Sequence, residues 1–195
     1  MKRTLTTLAI IAVLILAWWV DQQSTADSAS EATTPTATAT ATGSRPTAST
    51  QGLPARPADA IKLRVDYVFD GDTLRAEVLS ANKVVDVNEE IRVRLIGIDT
   101  PEKGECWADE ARRALIDLAP RGSTIWGAPD TEARDRYGRL LFNLWNGKGE
   151  FIQYELTRNG HAQSLRVWPN VAHNKLLVAA QRAAERDDLG QWETC

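Results

Sequence analysis

At 195 residues the chain has room for one ordinary domain plus appendages, and 23 Lys and Arg against 26 Asp and Glu leave it a net charge of −3. That balance excludes a protein that works by broad, non-specific attraction to polyanions, since such attraction comes from many basic residues neutralising phosphates. Residues 61–195 alone hold 19 basic and 22 acidic side chains, which leaves room for a local basic cleft and no more.

Lys2 and Arg3 precede an apolar run over about residues 5–20 that ends in Trp18-Trp19 and meets Asp21. This pattern directs a chain to a membrane, with the basic end retained inside. The run is short of the ~20 residues that cross a bilayer comfortably, which favours a signal peptide. The Trp pair and the weak small-residue site Ser24-Thr25-Ala26 favour an uncleaved anchor, so residues 1–20 are expected to be one or the other. In both cases the rest of the chain is expected outside the cytoplasm, secreted or membrane-anchored.

Residues 21–60 are Thr, Ala, Ser and Pro with few charges, too little apolar surface to offset chain entropy, and predict a disordered linker. A flexible tether of that length reaches roughly 35 Å in root-mean-square terms. Residues 61–195 form the expected domain.

Within it, residues 61–69 and 73–79 alternate apolar and polar around an Asp-Gly turn and predict two strands, and residues 91–98 a third. Between the second and third, residues 80–90 predict an extended hairpin. Helical spacing covers residues 108–118 and ends before Pro120. Residues 124–126 and 139–145 predict further strands, and 151–158 and 173–186 the closing helices. The order predicts an α+β fold, mainly β: a five-stranded barrel of the oligonucleotide-binding type (OB-fold) with about three helices.

Cys106 and Cys195 are the only cysteines, an even count in a chain expected to be exported. A disulfide joining them is the favoured expectation, against two separate thiols or a bridge to another chain. With only His161 and His173 to join them, the two cysteines are not expected to form a zinc site.

Four short stretches concentrate the chemistry: Asp70-Gly71-Asp72-Thr73, Arg94, Asp99-Thr100-Pro101-Glu102 and Asp135-Arg136-Tyr137-Gly138-Arg139. Asp72 and Asp99 are strand-end carboxylates that would repel if brought together unless a cation sat between them. The Thr100 carbonyl and water could complete such a sphere, although each aspartate alone reads first as a turn former and only their conjunction points further. Arg94 and Asp99 point to opposite faces of a regular strand, so Gly97 would have to bend it. An arginine facing the barrel interior needs a partner, for which phosphate and carboxylate serve equally. Arg139 taken alone reads as a surface residue. Glu102 would orient or deprotonate a water if it faced the cation, and is otherwise a surface acid.

Together with Arg158-Asn159-Gly160-His161-Ala162, these motifs resemble the staphylococcal nuclease (thermonuclease) family over about residues 61–192. The resemblance implies a calcium-dependent phosphodiesterase that cleaves DNA and RNA and leaves 3′-phosphates. It makes Asp72, Asp99 and Thr100 the Ca²⁺ ligands, Arg94, Glu102 and Arg139 catalytic, and Tyr137 with Arg136 part of the nucleotide site. Single strands are expected to be preferred, and no protein partner beyond a monomer is implied. The other reading is a catalytically silent nucleic-acid or protein-binding module on the same barrel.

The chain departs from the family pattern in three places. The Thr73 to Arg94 interval is longer, and the loop after Glu102 is cut to Lys103-Gly104-Glu105-Cys106. Where the type enzyme has tyrosines, this chain has Arg166 and Trp168, either able to stack on a base, with core packing favoured for Trp168.

Overall fold

The computed structural model describes residues 52–195 apart from residue 82. The expected membrane-directing segment and most of the expected linker lie outside the described residues. Among those described, no helix is long and apolar enough to cross a membrane.

Five strands close into a barrel: β1 (Ile61–Val68), β2 (Thr73–Val78), β3 (Glu90–Leu95), β5 (Thr124–Ala128) and β6 (Leu140–Trp145), in the order β1-β2-β3-β6-β5. All neighbours are antiparallel except β3 and β6, which run parallel with Val93 beside Leu140 and Arg94 beside Leu141. The expected OB-fold barrel is therefore present. Alternation explains the closure: Leu63, Val65, Leu74, Ala76, Val93, Leu95, Phe142 and Leu144 point inward and are buried. Each such large side chain contributes about 1.5 to 3 kcal/mol by leaving water.

A β-bulge between Val65 and Tyr67 breaks the alternation of β1. One residue is inserted, so Val68 takes the inward position and Tyr67, which strict alternation would bury, is 46% exposed.

Four helices surround the barrel: α1 (Ala108–Leu118), α2 (Ile152–Arg158), α3 (Asn174–Arg186) and a single turn, α4 (Gln191–Thr194). Gln153 of α2 is fully buried; its Oε1 accepts from Leu144 N at 3.1 Å and its Nε2 donates to Phe142 O at 3.0 Å. This side chain thus finds partners for both ends of its buried amide on the backbone of β6.

Two elements differ from the sequence expectation. The third strand stops at Leu95 instead of running to residue 98, because Gly97 at φ +83° bends the chain away. A Cβ there would also lie 2.7 Å from Leu177 Cδ1, so the position needs glycine twice over. Beyond the bend, β4 (Ile98–Asp99) pairs with β7 (Gln163–Ser164) in a separate two-stranded sheet. The expected extended hairpin over residues 80–90 has no ladder among the described residues; Val85 instead turns into the core, 4% exposed.

Cys106 and Cys195 are disulfide-bonded, with Cα atoms 5.9 Å apart. Beside them Trp107 Nε1 donates to His161 Nδ1 at 3.1 Å. Residues 54–56, inside the expected linker, lie against the barrel: Pro54 O accepts from Trp145 Nε1 at 2.9 Å, and Arg56 stacks over Trp126.

Candidate active site

The turn between β1 and β2 sets the first carboxylate. Asp72 N donates to Asp70 Oδ1 at 3.0 Å, and Phe69 N to Thr73 O at 2.9 Å. Gly71 lets this turn press inward, since a Cβ would lie 2.8 Å from both Ala111 Cβ and Thr100 Cγ2. Asp72 is thereby pushed against Thr100, whose N and Oγ1 both donate to its Oδ2 at 3.1 Å.

Arg94 joins the two aspartates. Its Nε lies 3.1 Å from Asp72 Oδ1 and its Nη2 2.9 Å from Asp99 Oδ1. The bend at Gly97 makes this possible, as the sequence required. Arg94 does not face the barrel interior, however. Ile91, Val93 and Leu95 point inward, so Arg94 stands on the outer face with Arg92, and the turn at Asp72 covers it.

Burial above all raises the Asp72 carboxyl, the Arg94 guanidinium pulls it down, Asp70 raises it, and hydrogen bonds from Thr73 and Thr100 lower it; the balance leaves it at about 6. Asp70, quoted in the motif but given no role there, thus acts on the site electrostatically; its place two residues before Asp72 is the signal. Three carboxylates and one guanidinium leave two negative charges in a partly desolvated cluster whose donors are all oxygen. That chemistry fits a hard divalent cation held by Asp72, Asp99 and an oxygen of Thr100. Among the described residues no three His, Cys, Asp or Glu side chains form a ready cage, so water would complete the sphere.

Arg139 enters from the parallel neighbour β6. Asp135 Oδ2 accepts from Arg139 Nε at 2.7 Å, and its Oδ1 from the backbone N of Tyr137 and of Arg139, both at 2.9 Å. Burial works against ionisation of Asp135, but these bonds and the Arg139 charge prevail and hold its carboxyl below the usual range. Arg94, Asp135 and Arg139 line one pocket of about 230 Å³ with Ile96, Leu165 and Val167.

Leu165 and Val167 are the residues that sequence reasoning missed, and Arg166 and Trp168 stand outside that lining. Period-two alternation from β7 puts the odd positions on the pocket side and the even ones opposite. Trp168 is 77% exposed, not packed in the core: a bridge between Val167 and Asn170 leaves Trp168-Pro169 at the tip of a tight turn. Asn170 pins that turn, with Nδ2 donating to Glu132 O at 3.0 Å and Oδ1 accepting from Glu132 N at 2.8 Å. Tyr137 is 68% exposed, and its hydroxyl accepts from Arg136 Nη2 at 2.6 Å. Glu102 is exposed; its backbone N donates to Glu105 Oε2 at 2.7 Å, and its carboxylate has no partner among the described residues.

Fold and site together define a small closed barrel with an acidic, arginine-bridged cleft at one edge of β3. A profile of the staphylococcal nuclease homologue family matches residues 92–194. A thermonuclease of Staphylococcus intermedius is 30% identical over 66% of this chain and 74% of its own length. Endonuclease YhcR of Bacillus subtilis is 30% identical over 66% of this chain but 11% of its own length, so this chain answers to about a tenth of that protein. An uncharacterized endonuclease of Haemophilus influenzae is 28% identical over 66% of this chain and 65% of its own. The chain belongs to the staphylococcal nuclease family.

Proposed function

We propose that this protein is an exported, calcium-dependent nuclease that hydrolyses DNA and RNA, favours single strands and leaves 3′-phosphate ends. The observation that carries the reading is the convergence of Arg94 and Arg139 on one pocket while Arg94 also bridges Asp72 and Asp99. Two guanidiniums in one pocket beside under-neutralised carboxylates suit a phosphodiester better than any uncharged ligand.

In this reading Asp72, Asp99 and Thr100 hold the cation, which supplies positive charge at the phosphoryl oxygens and to the attacking water. Arg139, aimed by Asp135, grips a non-bridging oxygen and stabilises the charge that grows there. Arg94 exchanges its contact with Asp99, which is 58% exposed, for phosphate. Glu102, exposed and three residues beyond Asp99, positions or deprotonates the water. The water oxygen bonds to phosphorus, the bond to the 5′-oxygen breaks, and that oxygen leaves with a proton. Tyr137 and Arg136 border the nucleotide site, and the cleft takes one strand more readily than a duplex.

Residues 1–20 serve as signal peptide or anchor, residues up to about 52 as tether, and the barrel domain works outside the cytoplasm, where calcium is abundant. The acidic balance of the domain supports modest, salt-sensitive binding. Release of acid-soluble nucleotides from heat-denatured DNA tests the reading, with calcium or chelator and alongside Glu102→Ser and Arg139→Gly. Calcium-dependent release that collapses in both variants is the expected result. A folded protein inert with every divalent cation would favour a binding module instead.

A further inference from the structure

Three guanidiniums on one side of the barrel have no carboxylate partner among the described residues, and each lies over an aromatic ring. Arg92 is 4.2 Å from the Phe69 centroid, Arg112 5.6 Å from Tyr67 and Arg136 4.7 Å from Tyr137. Arg64, Arg75, Arg94, Arg113, Arg121, Arg134, Arg139 and Arg158, by contrast, all contact acids. Tyr67 and Phe69 also meet edge to face at 5.0 Å, which makes the rings and cations continuous.

Strand pairing lines these groups up. Tyr67 sits opposite Arg75, Arg75 opposite Arg92, and the parallel match of Val93 with Leu140 puts Arg92 beside Arg139. The row crosses four strands, roughly 14 Å at the usual spacing. Arg75 is tied to Asp66 and Glu90, so its charge is already compensated and the free cations of the row lie to either side of it. At the β3 end, a pocket of about 340 Å³ lined by Arg92, Tyr137, Gly138 and Arg139 joins the row to the cleft. The bulge in β1 is what turns Tyr67 outward, and bulges beside functional sites commonly re-aim a side chain in this way.

We propose that the row Tyr67, Phe69, Arg92, leading to Tyr137, is a binding track for single-stranded nucleic acid that extends the cleft by several nucleotides across the outer face of β1 to β3. It rests on the nuclease reading for its substrate class. Rings offered beside unpaired guanidiniums match what a single strand presents, bases to stack and phosphates to neutralise, without sequence preference. A duplex keeps its bases stacked inside and gains only the charge contacts, so the track adds a physical reason for strand preference. Its location on the strands distinguishes it from the pocket lined by Leu165 and Val167.

The test is anisotropy of a labelled thymidylate 20-mer and a thymidylate trimer with the full chain in excess chelator, so that no cleavage is needed. The wild-type protein is expected to bind the 20-mer more tightly than the trimer. Tyr67→Ala and Arg92→Gln should each shrink that gap about fivefold or more. Arg92→Gln should also flatten the dependence of log Kd on log salt by about 0.7, while Tyr67→Ala leaves it unchanged. Unaltered 20-mer affinity in both variants, with wild-type thermal midpoints, overturns the track and leaves the nuclease reading standing. A track effect in a protein that cleaves nothing upholds the track and overturns only the nuclease.

Discussion

Arg94 Nε and Asp72 Oδ1 stand 3.1 Å apart with the two side chains only 14% and 9% exposed, yet this ion pair does not return the Asp72 carboxyl to its ordinary value. Burial and Asp70 outweigh the guanidinium, so its value rises to about 6 from an unfolded 3.8. A carboxyl raised on folding stabilises below its unfolded value, and that contribution is lost as pH climbs through the folded one. Ionised Asp72 therefore costs the cation-free fold about 2 to 3 kcal/mol at neutral pH. Asp72→Asn is expected to raise the thermal midpoint in chelator at pH 7, to raise it less at pH 5, and to remove calcium-induced stabilisation. Differential scanning fluorimetry at the two pH values checks all three.

Asp135 is expected to act through Arg139. Its carboxylate accepts three hydrogen bonds that fix the turn and aim the guanidinium. Asp135→Ala should lower nuclease kcat by roughly tenfold to a hundredfold and cost about 1 to 3 kcal/mol in urea unfolding. Arg139→Lys should not rescue activity lost in Arg139→Gly, because a point charge cannot reproduce the fork. Equal activity of the lysine variant and the wild type would remove the bidentate role.

Reducing the Cys106–Cys195 bond frees a loop of 89 residues and should lower stability by about 2 to 5 kcal/mol. Urea titrations with and without reductant, and of Cys195→Ser, measure this directly. An unmoved midpoint would mean the oxidised and reduced unfolded chains are equally confined.

His161 and His173 should make the fold acid-sensitive. Burial lowers both, against the pull of Asp117 and Glu110 on the first and Asp130 on the second. A histidine depressed on folding contributes stability that is complete above its unfolded value near 6.5 and is lost as pH falls through the folded value. Protonating His161 Nδ1 also sets it against the Trp107 indole N–H it now accepts from. Denaturation midpoints should decline below about pH 6.5, less steeply in His161→Gln, with a change in tryptophan emission over the same range.

The barrel was legible because its strands alternate and its turns carry Asp-Gly and Asn-Gly signals, and α1 appears at the bounds its spacing predicts. Arg94, Asp72 and Asp99 were legible as a set only through their conjunction in the motif, since each aspartate alone reads as a turn former. The two-residue strands were not, since Gln163–Ser164 pairs with Ile98–Asp99 through contacts that no local period announces. Trp168 was misplaced for a related reason: size argued for burial, while a four-residue turn decided exposure. The outward face of Tyr67 depends on one inserted residue in β1, visible only in its register with β2.

β3 and β6 lie side by side and parallel, although the chain between them contains α1, β5 and the disulfide-bearing loop. Arg94 and Arg139 are therefore spaced by the sheet and not by the connection. An insertion or deletion in that excursion changes what hangs over the cleft but leaves the separation of the two guanidiniums where the strand spacing puts it. The shortened loop after Glu102 is one such change, and the arginine pair is insulated from it. The covering loops are thus free to vary in this chain while the spacing of the two guanidiniums, built into the wall of the barrel, stays constant.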